Sequence, residues 1–242
     1  MAQHSSTQDA TPGFAAYDRM AGAYARKNET GVWNAYFERP SMLSLLPEIS
    51  GRQVLDLGSG PGALSAELLN RGALVTAVDG STEMLNCARQ RLGDRVQFMQ
   101  LDLNEGLTGI ANQAFDLVVS SLTVHYVSDL ETLAREIHRV LKPGGLFVAS
   151  THHPIMDMKS SPTGNYFKKE LIISKWQVEG ERYRISYFRR SLSATLSPFN
   201  KLGFSMDALS EGIISDQLRQ SFPEETLRFE KEPYFIFFRF RK

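Results

Sequence analysis

The 242-residue chain has one cysteine, Cys87, so it closes no internal disulfide and offers no thiol cluster to zinc. That scarcity suits a reducing compartment, and a cytoplasmic setting is expected. No apolar run approaches the ~20 residues that a bilayer-spanning helix needs. The apolar stretch Tyr234–Phe238 is far too short and reads as a buried strand. Neither sign of charge dominates, since 27 Lys and Arg balance 27 Asp and Glu. Bulk affinity for nucleic acid or for an anionic membrane is therefore not expected. Residues 1–13 are polar, lack the apolar core of a signal peptide and read as a disordered tail. The remaining residues, 14–242, contain no internal repeat and read as one domain with embellishments.

What is present is a glycine cluster at the end of an apolar run: Val54-Leu55-Asp56-Leu57-Gly58-Ser59-Gly60-Pro61-Gly62, followed by Ala63–Leu69 with helical spacing of apolar residues. This is strand, tight turn, helix. The glycines let the backbone turn sharply and approach a ligand, and the helix start presents unpaired N–H groups. A nucleotide-like ligand follows, and two candidates compete. Gly58-x-Gly60-x-x-Ala63 satisfies the loose dinucleotide fingerprint of NAD(P). Asp56 argues the other way, because a carboxylate at the strand end repels a pyrophosphate and attracts a cation. S-adenosylmethionine (SAM) carries an ammonium, a sulfonium and no phosphate.

Asp56, Gly58, Gly60 and Gly62 fill the four marker positions of a segment that resembles motif I of class I SAM-dependent methyltransferases, acid-x-Gly-x-Gly-x-Gly. The likeness continues down the chain. Leu74–Asp79 is an apolar run ending in an acid, followed by Gly80, Ser81 and a helix holding Met84. Val96–Leu103 reads as a third strand ending in Asp102, Phe115–Ser121 as a fourth, and Leu141–Ala149 as a Lys-Pro-Gly-Gly turn into a fifth. These five ordered matches cover residues 52–151. The resemblance implies a cofactor site in which Asp56, Gly58, Ser59, Gly60 and Gly62 cradle the methionine end. It also implies that Asp79 with Gly80 takes the ribose hydroxyls, Asp102 and Leu103 meet the adenine, and Ser120 and Leu122 pass the methionine end. Small-molecule members of this class (the methyltransferase-11-like type) are the nearest likeness.

Strand and helix alternate over residues 51–151, with helices expected near 62–71, 81–92 and 129–141. Residues 14–47 read as two short helices broken near Thr30-Gly31 and ended at Pro47, an N-terminal helical cap. Residues 153–190 break the rhythm and read as an inserted lid with a hairpin, locally basic with eight Lys and Arg against four Asp and Glu. A helix over 191–203 and strands at 204–209 and 234–240 complete the pattern. The expected fold is α/β: a doubly wound, seven-stranded, mostly parallel sheet of Rossmann-like methyltransferase type, its last strand antiparallel.

Methyl transfer from an activated cofactor needs positioning more than acid–base chemistry, and the sequence shows no triad. His125 and His152 are candidate general bases, with a hydrogen-bonded or solvent-facing loop histidine as the competing reading of each. Tyr17-Asp18-x-x-Ala21-x-x-Tyr24 resembles the N-terminal helix of small-molecule methyltransferases. That likeness implies Tyr24 at the methionine carboxylate, with Tyr17 and Trp33 walling the acceptor; amphipathic core packing is the competing reading. His153, Arg189 and Arg190 are candidate substrate contacts, the arginines for an anionic acceptor or else a solvated hairpin face. No metal site is expected. Cys87 lies outside a Pro-Cys setting, and no Asn/Asp-Pro-Pro-Tyr/Phe stretch follows the fourth strand, so base methylation of DNA is disfavoured.

The leading expectation is thus SAM-dependent methyl transfer to oxygen or nitrogen of a small-molecule acceptor, with SAH as product, by a monomer or homodimer. A nicotinamide oxidoreductase predicts NADH binding instead. A non-catalytic SAM-binding protein predicts binding without turnover.

Overall fold

The computed structural model describes residues 14–242, so the expected tail over residues 1–13 lies outside the described residues. The chain opens with helix α1 (Ala15–Thr30), a π-helical turn (Val32–Glu38) and α2 (Arg39–Ser44). Alternating units follow: β1 (Gln53–Leu57), α3 (Ala63–Asn70), β2 (Leu74–Asp79), α4 (Thr82–Leu92), β3 (Gln97–Gln100), β4 (Phe115–Ser120), α5 (Leu130–Val140) and β5 (Leu141–His152). A short α6 (Pro154–Asp157) leads to the hairpin β6 (Glu170–Val178) and β7 (Glu181–Arg189). Then come α7 (Leu192–Asn200), β8 (Ser205–Ser210), α8 (Asp216–Ser221), α9 (Pro223–Phe229) and β9 (Phe235–Arg241).

Seven strands form one sheet in the order β3-β2-β1-β4-β5-β9-β8, with β9 antiparallel to both neighbours. The inner strands are buried on both faces, which is why β1 and β2 read as unbroken apolar runs rather than alternations. Helix α5 shows how local sequence sets an element. Asp129 caps it by accepting from the Glu131 and Thr132 amides, and Leu130, Leu133, Ala134, Ile137 and Val140 bury one face. The chain moves outward from β1 to β3 and then returns to place β4 on the other side of β1. That reversal creates the crevice at which sheets of this kind bind ligands.

Helices α8 and α9 were not expected from the pattern. They are only six and seven residues long, and Phe229 of α9 stacks on Phe37 at 4.3 Å. Their apolar faces are completed by the N-terminal segment, so neither carries a full helical period on its own. The third strand also ends earlier than expected, at Gln100, leaving Asp102 in a loop.

Candidate active site

A cleft opens at the carboxyl ends of β1, β2 and β4 and is roofed by α1. The glycine turn after β1 is stitched to β2: the Gly58 and Ser59 amides donate to the Val78 carbonyl at 2.8 and 3.0 Å. Gly58 has φ +72°, and a β-carbon there would overlap the Thr123 side chain, which crosses behind the turn. Gly62 is a correction to the expected cradle. It does not line the cleft; a β-carbon at Gly62 would meet Leu92 Cδ1 at 2.9 Å, so it lets α3 pack on α4. We expect Gly58→Ala to lower stability by about 1–3 kcal/mol through left-handed strain and overpacking. Thermal unfolding with and without SAH would show both a lower Tm and a smaller ligand-induced shift.

Asp56, at the centre of the sheet between Ala77 of β2 and Val119 of β4, is 1% exposed. Its Oδ2 accepts from Ser65 Oγ at 2.6 Å, while buried Oδ1 has no partner among the described residues. Burial pushes its carboxyl up to about 7. A cation brought to Oδ1 would both satisfy the orphan atom and draw the group back to its ionised form. Asp79 accepts from the Gly60 amide through Oδ2 and from the Ser81 amide through Oδ1, each at 2.8 Å. Asp102 closes an Asx-type turn on the Asn104 amide at 2.9 Å. Asp56, Gly58, Ser59, Gly60, Asp79, Gly80, Met84, Asp102, Leu103, Leu122 and Tyr24 all face the cleft.

Ser120 does not. Its hydroxyl donates back to the Leu57 carbonyl at 3.1 Å, tying β4 to β1, and Ser121 takes the cleft position. Adjacent strand residues face opposite ways, so a one-residue error reverses the assignment. Leu122 follows with φ +47°, a backbone conformation rare for a side chain of its size.

The roof comes from α1. Tyr17 shares a hydroxyl–hydroxyl bond of 2.5 Å with Tyr126, and its ring meets Tyr24 edge-on at 5.4 Å. Asp18 accepts from Ser81 Oγ at 2.6 Å, clamping α1 onto the start of α4. Phe14 covers Gly80, where a β-carbon would overlap its ring. The hairpin β6–β7 contributes no residue to the cleft wall and lies outside α1: Trp176 stacks on Tyr24, and Arg26 pairs with Glu179 at 2.7 Å. The segment expected as a lid over the cofactor is therefore a brace behind α1.

Several expected residues lie elsewhere for clear reasons. Trp33 packs against Phe229 and Tyr234 at 4.7 and 4.5 Å, away from the cleft. His125 and His152 stack at 4.0 Å behind the wall formed by Tyr126 and Val127, in a separate small cavity that Arg190 also lines. His125 bonds Thr151 Oγ1 at 3.1 Å, and burial beside His152 and Arg190 holds it well below the ordinary histidine range. His153 caps α6 by accepting from the Ile155 amide and pairs with Glu211 at 3.2 Å. Arg189 is wholly buried on Glu170 and on the carbonyls of Asn165, Tyr166 and Lys168. Arg190 donates to the carbonyls of Val127 and Ser128. Both guanidiniums staple the fold: Arg189 engages all three of its nitrogens, and Arg190 bonds through one amino group and lines the small cavity rather than the cleft.

The cleft also holds residues not anticipated: Asn28, Asn34, Glu38, Arg39, Asn104 and Thr123. Glu38 is 2% exposed and accepts from Ser121 Oγ at 2.8 Å and from Ser150 Oγ at 2.5 Å. It ends the π-helical turn, a feature frequent at functional sites. An acid directly after the aromatic pair Tyr36-Phe37 was the available signal, but the wider π turn shifts the helical phase that would have aimed it.

Comparison with known proteins agrees with this geometry. Residues 55–149 match the family model described as a methyltransferase domain. A solved S-adenosylmethionine-dependent methyltransferase from Mesorhizobium loti superposes with a TM-score of 0.68 at 28% identity, covering 84% of this chain and 96% of that one. An uncharacterized protein of Haemophilus influenzae is 29% identical over 202 residues, 76% of this chain and 79% of its own length. The malonyl-[acyl-carrier protein] O-methyltransferase of Enterobacter lignolyticus is 34% identical over 138 residues, 57% of this chain and 52% of its own length. The chain thus spans about half of that named relative. The match over residues 55–149, the sheet order and the site agree with a SAM-dependent methyltransferase domain of the class I, Rossmann-like type.

Proposed function

We propose that the protein transfers the methyl group of SAM to an oxygen or nitrogen atom of a small-molecule acceptor bound under α1. One observation carries the reading: a single cleft joins the acids at the ends of β1 and β2 to a polar chamber at Asn34, Glu38 and Ser121. The fit of the cofactor rests on the orphaned, buried Oδ1 of Asp56, which suits the ammonium of the methionine end. Ser59 and Gly60 frame that end, Asp79 has lone pairs left for ribose hydroxyls, and Asp102 with Leu103 borders the adenine side.

When bound, SAM supplies a methyl carbon on a sulfonium: the acceptor lone pair bonds to that carbon while the carbon–sulfur bond breaks and its pair stays on sulfur in SAH. The chain's own task is to hold the acceptor in line and keep water out. Tyr17, Tyr24, Tyr126 and Phe14 form the covering wall. The small-molecule assignment is supported by the balanced charge and by the enclosure of the acceptor end beneath α1. The Enterobacter relative is an O-methyltransferase by name, which keeps oxygen among the acceptor atoms.

The nicotinamide alternative requires a pyrophosphate at the glycine turn, beside the Asp56 carboxylate, whose buried Oδ1 already has no donor among the described residues. Thermal-shift titration with SAH, SAM and NADH distinguishes the two. SAH and SAM are expected to stabilise, by about 2.7 kcal/mol at one hundred times their Kd, and NADH is expected to do nothing. Stabilisation by NADH alone would defeat the cofactor assignment.

A further inference from the structure

Among the described residues, Glu38 is the one buried carboxylate of the cleft that the cofactor reading leaves without a task. Asp56, Asp79 and Asp102 are assigned to the three parts of SAM; Glu38 lines the same cleft with Asn34, Arg39 and Ser121, near enough to Asp56 for their charges to interact. Its two oxygens are not equivalent. Oε1 accepts from the hydroxyls of Ser121, just past the end of β4, and Ser150 on β5, and Ser150 in turn accepts from the Leu122 amide at 2.9 Å. Oε2 accepts no hydrogen bond among the described residues. The carboxylate is thus oriented by the ends of two core strands, with one oxygen left for a ligand. The two histidines suited by type to act as bases are sealed in the other cavity.

We propose that Glu38 is the general base of methyl transfer, and that the acceptor is an amine which enters as its ammonium ion. The inference rests on the methyl-transfer reading above. Among the described residues the cleft is lined by four carboxylates and one guanidinium, a balance that draws an ammonium, and that guanidinium, Arg39, is tethered to the carbonyl and the side-chain oxygen of Asn28. A carboxylate acceptor would instead meet Glu38 oxygen to oxygen. Once paired in a buried site, an ammonium and a carboxylate both lose hydration, and the neutral pair is favoured over the charged one. The N–H proton passes to Glu38 Oε2 and leaves a neutral amine lone pair. The new carbon–nitrogen bond forms as the carbon–sulfur bond breaks, and the product departs as a methylated ammonium. Glu38 then returns its proton to solvent, so each turnover releases one proton.

Burial raises the Glu38 carboxyl above the usual glutamate range, while Ser150, Ser121 and Arg39 hold it down. The other titratable groups facing it are Asp56 from β1 and Tyr24 from α1. A raised carboxyl is the stronger base, provided that it is ionised at the working pH.

The test uses the full chain with SAM and reads SAH formation. The panel holds primary and secondary amines, with benzylamine, phenethylamine and butylamine as the simplest members. It is run against phenol and catechol and against phenylacetate and butyrate. Turnover is expected on amines alone. Glu38→Gln is expected to cut kcat on the amine about 100-fold while leaving the SAH Kd within about twofold; Glu38→Asp should recover part of the rate. Ser121→Ala, a milder change, removes a donor that lowers the Glu38 pKa, so the acid limb of kcat/KM should move to higher pH. Turnover on phenols or carboxylates, no turnover on any amine, an unchanged kcat in Glu38→Gln, or an unmoved acid limb in Ser121→Ala would each overturn the proposal. In all of these SAH still binds the wild-type protein. Loss of that binding would instead overturn the cofactor reading and this inference with it.

Discussion

Replacing Asp79 by alanine is expected to weaken SAH binding at least tenfold, or about 1.4 kcal/mol. The size follows from what the carboxylate holds. Oδ2 fixes the Gly60 amide and Oδ1 the Ser81 amide, so one side chain sets both the glycine turn and the first turn of α4. Charge-assisted bonds of this kind contribute about 1.5–3 kcal/mol each when lost. Removing the side chain therefore costs the ribose contacts and loosens the turn that frames the methionine end. Calorimetry with SAH measures the first effect, and the ligand-free Tm measures the second. Asp79→Asn is an informative companion, since the amide keeps one acceptor but sets an NH2 group against one of the two backbone donors. An SAH Kd in Asp79→Ala equal to that of the wild type would remove Asp79 from the cofactor site.

Arg189→Met is expected to act on stability and not on substrate affinity. The guanidinium is wholly buried and bonds Glu170 Oε2 at 2.8 Å together with three carbonyl oxygens of residues 165–168. Methionine matches its length but donates nothing, so those carbonyls and the carboxylate lose their shared partner. Donation from Ser161 and Thr163, with Arg189, holds the Glu170 carboxyl down to about 2, so it stays ionised at neutral pH when the arginine is gone. Removing one partner of such a pair costs about 3 kcal/mol or more, a Tm drop of roughly 6–12 °C for a chain of this size. SAH affinity should remain within about twofold, because Arg189 is absent from the cleft wall. A raised KM at unchanged Tm would restore the anion-binding role that the sequence first suggested for this residue.

Why the sequence misjudged Arg189 is instructive. Four arginines on a polar-looking hairpin, Arg182, Arg184, Arg189 and Arg190, resemble a solvated or anion-binding face. Whether each is exposed depends on the loop 165–168 folding back onto β7 and on the segment at Val127–Ser128 lying against Arg190. Those partners stand 21 to 63 positions away along the chain. Trp33 and His153 went astray in the same way: Phe229 of α9 and Tyr234 supplied the rings around one, and Glu211 supplied a partner to the other.

The amino-acid sequence by itself determined the parts whose physics is local. An apolar run followed by glycines at positions 58, 60 and 62 can only be a buried strand entering a tight turn and a helix. An acid at the end of each of the first two strands then necessarily reaches the carboxyl edge of the sheet. Periodicity also located α4, α5 and the β6–β7 hairpin. Only the tertiary structure decided which side of each loop the cleft would see. It put Ser121 there and Ser120 against β1, it moved Gly62 into a helix–helix contact, and it sealed the two histidines behind Tyr126. It also brought Glu38, 112 positions away from Ser150, into the wall of the cofactor cleft. A side chain's direction in a turn or at a strand end differs by a single residue, and its burial depends on distant neighbours; neither is written in a local pattern.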